Sequence, residues 1–460
     1  MGPAFGIRIS LALPFPTARL GEPEAYRGAL RLLRERHGER RTLTQAGVDL
    51  GELPASADAQ LSKLLARRVA SGKYAFSPVT ERAAYLGGKV RHVYRAPLAD
   101  TVVLFVLAGV LTELVMPAVC ERVYSYRKGR SSREAVSDLA AFVKRHRAAH
   151  ADPRARGLHV LRRDIVGYGD RIPVGDDSPL WPLLTRVLEA RGCPASDPFH
   201  ALLRRALRPL VLRTDGTLET ATRGVPMGSP LQPSICNLYL DALDRTLDAL
   251  PGGFYARFGD DMLFAHESAA TARAASEMVA RVLGELRLEL NAEKARDLYW
   301  NGAGRASADA ISSAESGTTH LEYLGQRLAF DGGVALSQKK LRRIRSELRA
   351  RIVQSELVLR ELPLAERAGA LARAVGGALD PVSPAALALA PELVKQCDDR
   401  RLLTDLDHWL TLALSEALSG RRGVRAFRSA PPRFWRAHGL ISLVARRDRA
   451  RATRRAEDEP

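Results

Sequence analysis

Residues 254–265 read Phe254-Tyr255-Ala256-Arg257-Phe258-Gly259-Asp260-Asp261-Met262-Leu263-Phe264-Ala265. Two apolar, strand-like runs flank a glycine and two adjacent aspartates, the pattern of a β-hairpin that carries its charge at the turn. Adjacent carboxylates repel each other, and apolar strands on both sides penalise their ionised forms, so at least one should hold its proton more tightly than a free aspartate. A bound divalent cation reverses that penalty, and hard carboxylate oxygens suit Mg²⁺. The chain supplies its own controls. Asp176-Asp177 sits in Gly-Asp-Asp-Ser-Pro, an ordinary polar loop, and Asp398-Asp399 sits beside Arg400 and Arg401, as on a helix surface. Neither has apolar strands on both sides. Read alone, the hairpin pair also fits an exposed Asp-Asp turn.

A two-metal centre holds its ions about 3.5–4 Å apart and needs a further carboxylate from another element to bridge them. Asp164 is the candidate, at the end of the strand-like run from His159 to Ile165 and ahead of the turn Val166-Gly167-Tyr168-Gly169. Its plain alternative is a helix N-cap or turn aspartate.

The rest of the chain reads as mixed helix and strand. Residues 1 to about 70 look helical and polar, with a basic cluster from Arg31 to Arg41. Tyr74 to Val93 reads as loops and short strands, with a Gly87-Gly88 turn before the alternating basic segment Lys89-Val90-Arg91. The apolar run from Thr101 to Cys120 contains Glu113 and Pro117 and reads as a buried helix, not a membrane span. Helices are expected over Ser131 to His146, from Pro182 onward, over Ile235 to Leu250 and over Thr271 to Leu288. After Ser337 the chain reads as almost wholly helical and rich in arginine.

Composition bounds the class. With 460 residues there is room for about two or three domain-sized units. The net charge of +18 points to a polyanionic partner, usually nucleic acid, although arginine spread evenly through a chain has the same effect on the total. The four cysteines lie far apart with no C-x-x-C pair, which argues against a zinc cluster or a disulfide framework and suits a reducing cytoplasm. Residues 1–20 are broken by Pro14 and Pro16 and do not read as a signal peptide.

Taken in order, Asp164, then Gly224-Val225-Pro226-Met227-Gly228-Ser229-Pro230-Leu231, then Phe258-Gly259-Asp260-Asp261 resembles the bacterial reverse transcriptases, the group that includes group II intron, retron and abortive-infection-type enzymes. Further blocks follow the same order. Gly87-Gly88-Lys89-Val90-Arg91 through Pro97 and Asp100 is similar to the fingers segment, Tyr124-Ser125-Tyr126-Arg127-Lys128-Gly129-Arg130-Ser131 to the next block, Leu290-Asn291-Ala292-Glu293-Lys294 to the segment after the catalytic hairpin, and Tyr323-Leu324-Gly325 to the primer grip. The resemblance covers about residues 74 to 345.

It implies an α+β right-hand polymerase: a helical amino-terminal extension over 1–73, fingers and an antiparallel-sheet palm over 74–336, and a helical, basic thumb and carboxy-terminal region over 337–460. It implies RNA-directed DNA synthesis from dNTPs on an RNA template with a DNA or RNA primer, using two Mg²⁺ ions, or Mn²⁺ in their place. By the same resemblance Asp164 and Asp260 bind both metals with Asp261 adjacent, and the backbone carbonyl of Ile165 is an extra ligand. Lys89 and Arg91 grip the incoming triphosphate, where cations stabilise developing phosphate charge. Lys294 protonates the departing pyrophosphate, and Gly228, Ser229 and Pro230 shape the floor under template and nucleotide.

The chain departs from the family pattern in several places. The family usually carries an aromatic residue five positions after the first aspartate, where it blocks the ribose 2′-hydroxyl; this chain has Gly169 there, with Tyr168 one residue earlier. Sugar discrimination is therefore expected to be relaxed or to pass to Tyr168. Met227 replaces the usual glutamine, Phe258 the usual tyrosine, and Thr101 a common arginine. No nuclease motif or zinc cluster accompanies the polymerase blocks, as in stand-alone defence-associated enzymes, for which a cognate noncoding RNA is an expected partner. Other readings stay open: a template-independent, protein-primed or ribonucleotide-using polymerase, or a catalytically idle nucleic-acid-binding protein.

Overall fold

The computed structural model describes residues 16–39, 55–86, 89–150, 156–225 and 228–458. The expected Gly87-Gly88 turn and the pair Pro226-Met227 lie outside the described residues. The architecture is α+β, and the chain forms two compact units. The first takes the described residues up to Ala135, Leu158–Leu298 and Ala308–Glu315; the second takes Val136–Gly157, Tyr299–Ser307 and the chain from Ser316.

The first unit is built on two sheets. In one, strands β1 (Val79–Leu86) and β2 (Lys89–Arg95) form an antiparallel hairpin. Two strands of seven or eight residues thus replace the expected loops and short strands. With β3 as Leu158–Arg163, β4 (Leu210–Leu212) runs parallel to β1 and pairs antiparallel with β5 (Leu218–Thr220), so this sheet has the order β2-β1-β4-β5. The second sheet centres on β7 (Asp261–His266), which pairs antiparallel with both β6 (Phe254–Phe258) and β3. Strand β8 (Arg296–Trp300), which begins in this unit, lies on the far side of β3.

The hairpin strands read as continuous apolar runs because both of their faces are covered. Tyr255, Ala256, Met262, Leu263, Phe264 and Ala265 are all buried. The helix Ala269–Glu285 packs on β7 and β3, and the helix Asp241–Asp248 packs on β6. The apolar run read as a core helix forms Leu98–Val115 and a short 3₁₀ turn to Ala118. By length and composition Leu98–Ala118 could cross a membrane, but two-thirds of its most apolar window is buried inside the first unit. Leu30, Leu65 and Val69 of the amino-terminal helices belong to the same apolar cluster as its Val103, Val106 and Val110.

Two expectations give way to tertiary contacts. The single helix expected over Ile235 to Leu250 is two, Gln232–Tyr239 and Asp241–Asp248, broken at Leu240. The break lets Asp241 accept the Cys120 N–H (2.6 Å) while Asp244 turns inward beneath the hairpin. Asp398-Asp399 does not lie on a helix surface. Asp399 caps the helix Arg400–Ser419 by accepting the Leu402 N–H, and Asp398 accepts the Val334 N–H.

In the second unit, strand β9 is Ser316–Thr318, and β10 (His320–Tyr323), β11 (Gln326–Ala329) and β12 (Val334–Leu336) form an antiparallel sheet in that order. Ser337 then caps the helix Gln338–Leu359. Leu341, Ile344, Leu348 and Ile352 recur along it at helical spacing and are buried, which gives the helix an inner apolar face. Lys339, Arg342, Arg343 and Arg349 are exposed.

Candidate active site

The register of the sheet brings the acidic residues together. Arg162 pairs with Leu263 and Arg163 with Met262. One step further along both strands, Asp164 and Asp261 arrive at the same end of the sheet. On the other side β6 and β7 close with Phe258 opposite Asp261, leaving Gly259-Asp260 as the turn. Gly259 has φ +68°, a left-handed conformation that glycine adopts without steric cost.

That turn is held from both sides. The Gly259 N–H donates to Ser125 Oγ (3.0 Å), and the Gly259 carbonyl accepts from Arg257 Nη1 (3.0 Å). Arg257 is fully buried and forms a bidentate pair with Asp244, Nε to Oδ1 and Nη2 to Oδ2, both 2.7 Å. It also donates to the Asn237 carbonyl (3.1 Å), and Tyr255 donates its hydroxyl to Asp244 Oδ1 (2.7 Å). Burial works against the Arg257 charge, and the opposing carboxylate of Asp244 outweighs it, so the guanidinium is held above its ordinary value. A charge so placed needs its partner, because losing one side strands the other in a dry interior.

Asp164 is clamped by the segment that follows the sheet-backing helix. Its carbonyl accepts the Asn291 N–H (2.8 Å), its Oδ1 accepts Asn291 Nδ2 (3.1 Å), and Lys294 Nζ donates to both carboxylate oxygens at 2.9 and 2.8 Å. Those hydrogen bonds raise the Lys294 pKa, against a desolvation cost, and the charges of Asp260 and Asp261 add to the effect. Burial raises the Asp261 pKa; Arg162, at 2.9 and 3.2 Å, pulls it back, and Asp260 and Asp164 push it up again. Three carboxylates and two cations therefore converge on one end of the sheet.

The other residues singled out in the sequence are placed less uniformly. The Ile165 side chain is buried, so only its backbone could face an ion. Lys89 and Arg91 lie on β2, and their side chains are outside the described residues. Gly228 is exposed with φ +91°, and Ser229 is half-buried with its Oγ accepting the Leu231 N–H at 3.4 Å. Tyr168 corrects an expectation. It is buried and donates its hydroxyl to the Cys236 carbonyl, so it offers nothing to a sugar. Gly169 remains half-buried beside it.

Sequence reasoning assigned no role to Arg162, Arg257, Asp244, Asn291 or Ser125. One signal was available for Arg257, a lone charge inside the apolar run Phe254-Tyr255-Ala256-Arg257-Phe258. A charge in a buried strand implies a buried partner, but nothing in the local pattern names Asp244.

These features can be set beside known proteins. Residues 94–328, just over half of the chain, match the family described as reverse transcriptase (RNA-dependent DNA polymerase). The Retron Mx65 reverse transcriptase of Myxococcus xanthus is 32% identical over 89 residues, which are 19% of this chain and 21% of that one. The match thus spans about a fifth of the curated relative. Among solved structures, apo telomerase from Candida tropicalis has a TM-score of 0.45 at 12% identity, over 85% of this chain and 75% of that one. Telomerase from Candida albicans in complex with a telomeric RNA fragment has a TM-score of 0.43 at 11% identity, over 81% and 67%. With its ordered motifs on a carboxylate-bearing antiparallel sheet and a family match over half its length, the chain belongs to the reverse transcriptase (RNA-dependent DNA polymerase) family.

Proposed function

We propose that this protein is an RNA-directed DNA polymerase that extends a primer with dNTPs along an RNA template. The observation that carries the reading is the convergence of Asp164, Asp260 and Asp261 at one sheet end, with Lys294 bonded to both oxygens of Asp164. An idle nucleic-acid binder has no use for three converging carboxylates.

The donor set fits a divalent cation. It offers hard oxygen atoms from two neighbouring strands, and burial, followed by the neighbouring charges of Asp260 and Asp164, disfavours the ionised form of Asp261, a penalty that a bound cation would relieve. Asp164 and Asp260 would hold two Mg²⁺ ions, or Mn²⁺, with Asp261 kept in place by Arg162. Ions bound there would supply activation of the primer hydroxyl and neutralisation of charge on the triphosphate. The chain's own groups do the rest. The β6–β7 turn fixes Asp260 through Arg257 and Ser125. Lys294 keeps its proton on Nζ at neutral pH and would give it to the leaving pyrophosphate. The exposed Lys339, Arg342, Arg343 and Arg349 suit phosphate contacts along a template–primer duplex.

Primer extension on a primed RNA template with Mg²⁺ and dNTPs tests the proposal. DNA synthesis that disappears in Asp260→Ala is expected. Equal synthesis in both proteins would remove the metal site from the reading, and no synthesis on RNA, DNA or unprimed substrates would favour the binder. By analogy with defence-associated members of the family, we propose a role in phage defence with a cognate noncoding RNA. Deleting the gene with its neighbouring noncoding DNA should raise plating by some phages, and unchanged plating across a broad panel would count against this role. Four free, buried cysteines suit a cytoplasmic location.

A further inference from the structure

Gly169 has a negative or extended φ, unlike the fifteen glycines among the described residues whose φ is positive, so its backbone conformation does not call for glycine. Its neighbour does. A Cβ built on Gly169 would stand 2.4 Å from Nε2 of Gln232 and 3.7 Å from Sγ of Cys236. The Gln232 amide thus fills the volume that a side chain at position 169 would enter.

The arrangement is closed by hydrogen bonds. The Gly169 carbonyl accepts the Val225 N–H (2.9 Å), and the Val225 carbonyl accepts Gln232 Nε2 (3.4 Å). Gly224, at φ +90°, lets the loop lie against the short helix Tyr168–Arg171; a Cβ there would meet the Asp170 carbonyl oxygen at 2.9 Å. Gly169 and Gln232 both remain half-buried, so a ligand can reach them. They border the candidate active site. Gly169 follows Asp164 by five residues, and the helix Gln232–Tyr239 that carries Gln232 and Cys236 also carries Asn237, whose carbonyl accepts from the same Arg257 that holds the Gly259-Asp260 turn. In a nucleoside triphosphate the sugar is bonded to the α-phosphate, so a nucleotide held by its phosphates at Asp164 and Asp260 would bring its ribose to residues bordering that site.

We propose that Gln232 is the sugar-discriminating residue of this polymerase. It takes the place of a bulky group at position 169, and it meets the ribose with a polar, movable amide where a ring would block it. An amide can hydrogen-bond a 2′-hydroxyl, so ribonucleotides are accepted alongside deoxyribonucleotides. The inference rests on the polymerase reading above.

The test uses the full-length enzyme on a primed template, with two readouts: kcat/KM for ATP against dATP in Mg²⁺, and the Kd of each nucleotide for the enzyme–primer–template complex in Ca²⁺. Gln232→Ala and Gln232→Leu should each shift the ATP-to-dATP ratio about tenfold against the ribonucleotide, the effect of losing one hydrogen bond to a substrate hydroxyl. Gly169→Phe alone should impair extension with both nucleotides, because the ring meets the Gln232 amide. Gly169→Phe with Gln232→Ser should restore extension and give the strongest preference for dATP. Ratios within twofold of the parent in both Gln232 variants, by either readout, would overturn the assignment. A parent that extends no primer would sink the polymerase reading instead, and the Kd ratios would still judge Gln232.

Discussion

Arg257 and Asp244 have no solvent-exposed side-chain surface, whereas Arg162 and Asp261, at the tip of the same sheet, keep 27% and 24% of theirs. Both are arginine–aspartate pairs with contacts of 2.7 to 3.2 Å. Depth decides what each can do. The inner pair cannot open without leaving a charge in a dry interior, so it acts as a fixed strut for the turn that carries Asp260. The pairs at the tip, Arg162–Asp261 and Lys294–Asp164, border solvent. Water, an ion or a triphosphate can take the place of either partner, so these contacts can be exchanged during a reaction.

The largest effect should come from the exchangeable end. Asp164→Asn should lower primer extension by at least roughly a thousandfold while thermal unfolding changes little. A large fall in melting temperature would show that the tip, too, is a strut. Next comes the buried end. Arg257→Met leaves Asp244 unpaired and should cost about 3–5 kcal/mol in urea unfolding. Adding Asp244→Leu should recover most of that loss, and a double variant as unstable as the single one would break the distinction between strut and tip.

Lys294→Gln removes the cation of the other solvent-facing pair. It should reduce kcat by roughly a hundredfold, the scale of one general acid, with little change in stability. Because Asp164 raises the Lys294 pKa, the ion pair is fully present below the ordinary lysine value and is lost as pH rises through the raised one. The parent's activity should therefore fall at high pH, and that alkaline limb should be missing from the residual activity of the variant. The smallest effect is expected at Asp261. Its raised pKa means that ionisation disfavours the folded, metal-free protein: the stability it contributes is present below the ordinary value of 3.8 and is lost as pH rises through the raised one. Asp261→Asn should then slightly raise the melting temperature of metal-free protein at pH 7, with the gain shrinking as pH falls towards about 4. A lower melting temperature at pH 7 would mean that the Arg162 pair outweighs burial and repulsion.

Much of this architecture was legible along the chain. The hairpin at Phe254 to His266, the strand before Asp164 and the buried helix after Leu98 each carry a pattern set by near neighbours, alternating or recurring at helical spacing. Where a contact from elsewhere competed with the local pattern, the reading slipped. Tyr168 is drawn inward by the Cys236 carbonyl, and the helix expected to Leu250 breaks so that Asp241 and Asp244 can meet distant partners.

Which residues carry charge in which element, and in what order, is written along the chain: a lone aspartate after a strand, a Gly- and Pro-rich loop, an aspartate pair at a hairpin turn, and a lysine beyond. That information is local, because the backbone periods of strand and helix are written in residues two to four apart. The partners of those charges come from the folded arrangement. Lys294 reaches Asp164 across 130 residues and Arg162 reaches Asp261 across 99, while the Gln232 amide fills the space beside Gly169. Such pairings follow from strand register and from the packing of loops on short helices. No spacing in the chain encodes them, because the free energy of a contact depends on burial and distance in space, and separation along the sequence measures neither.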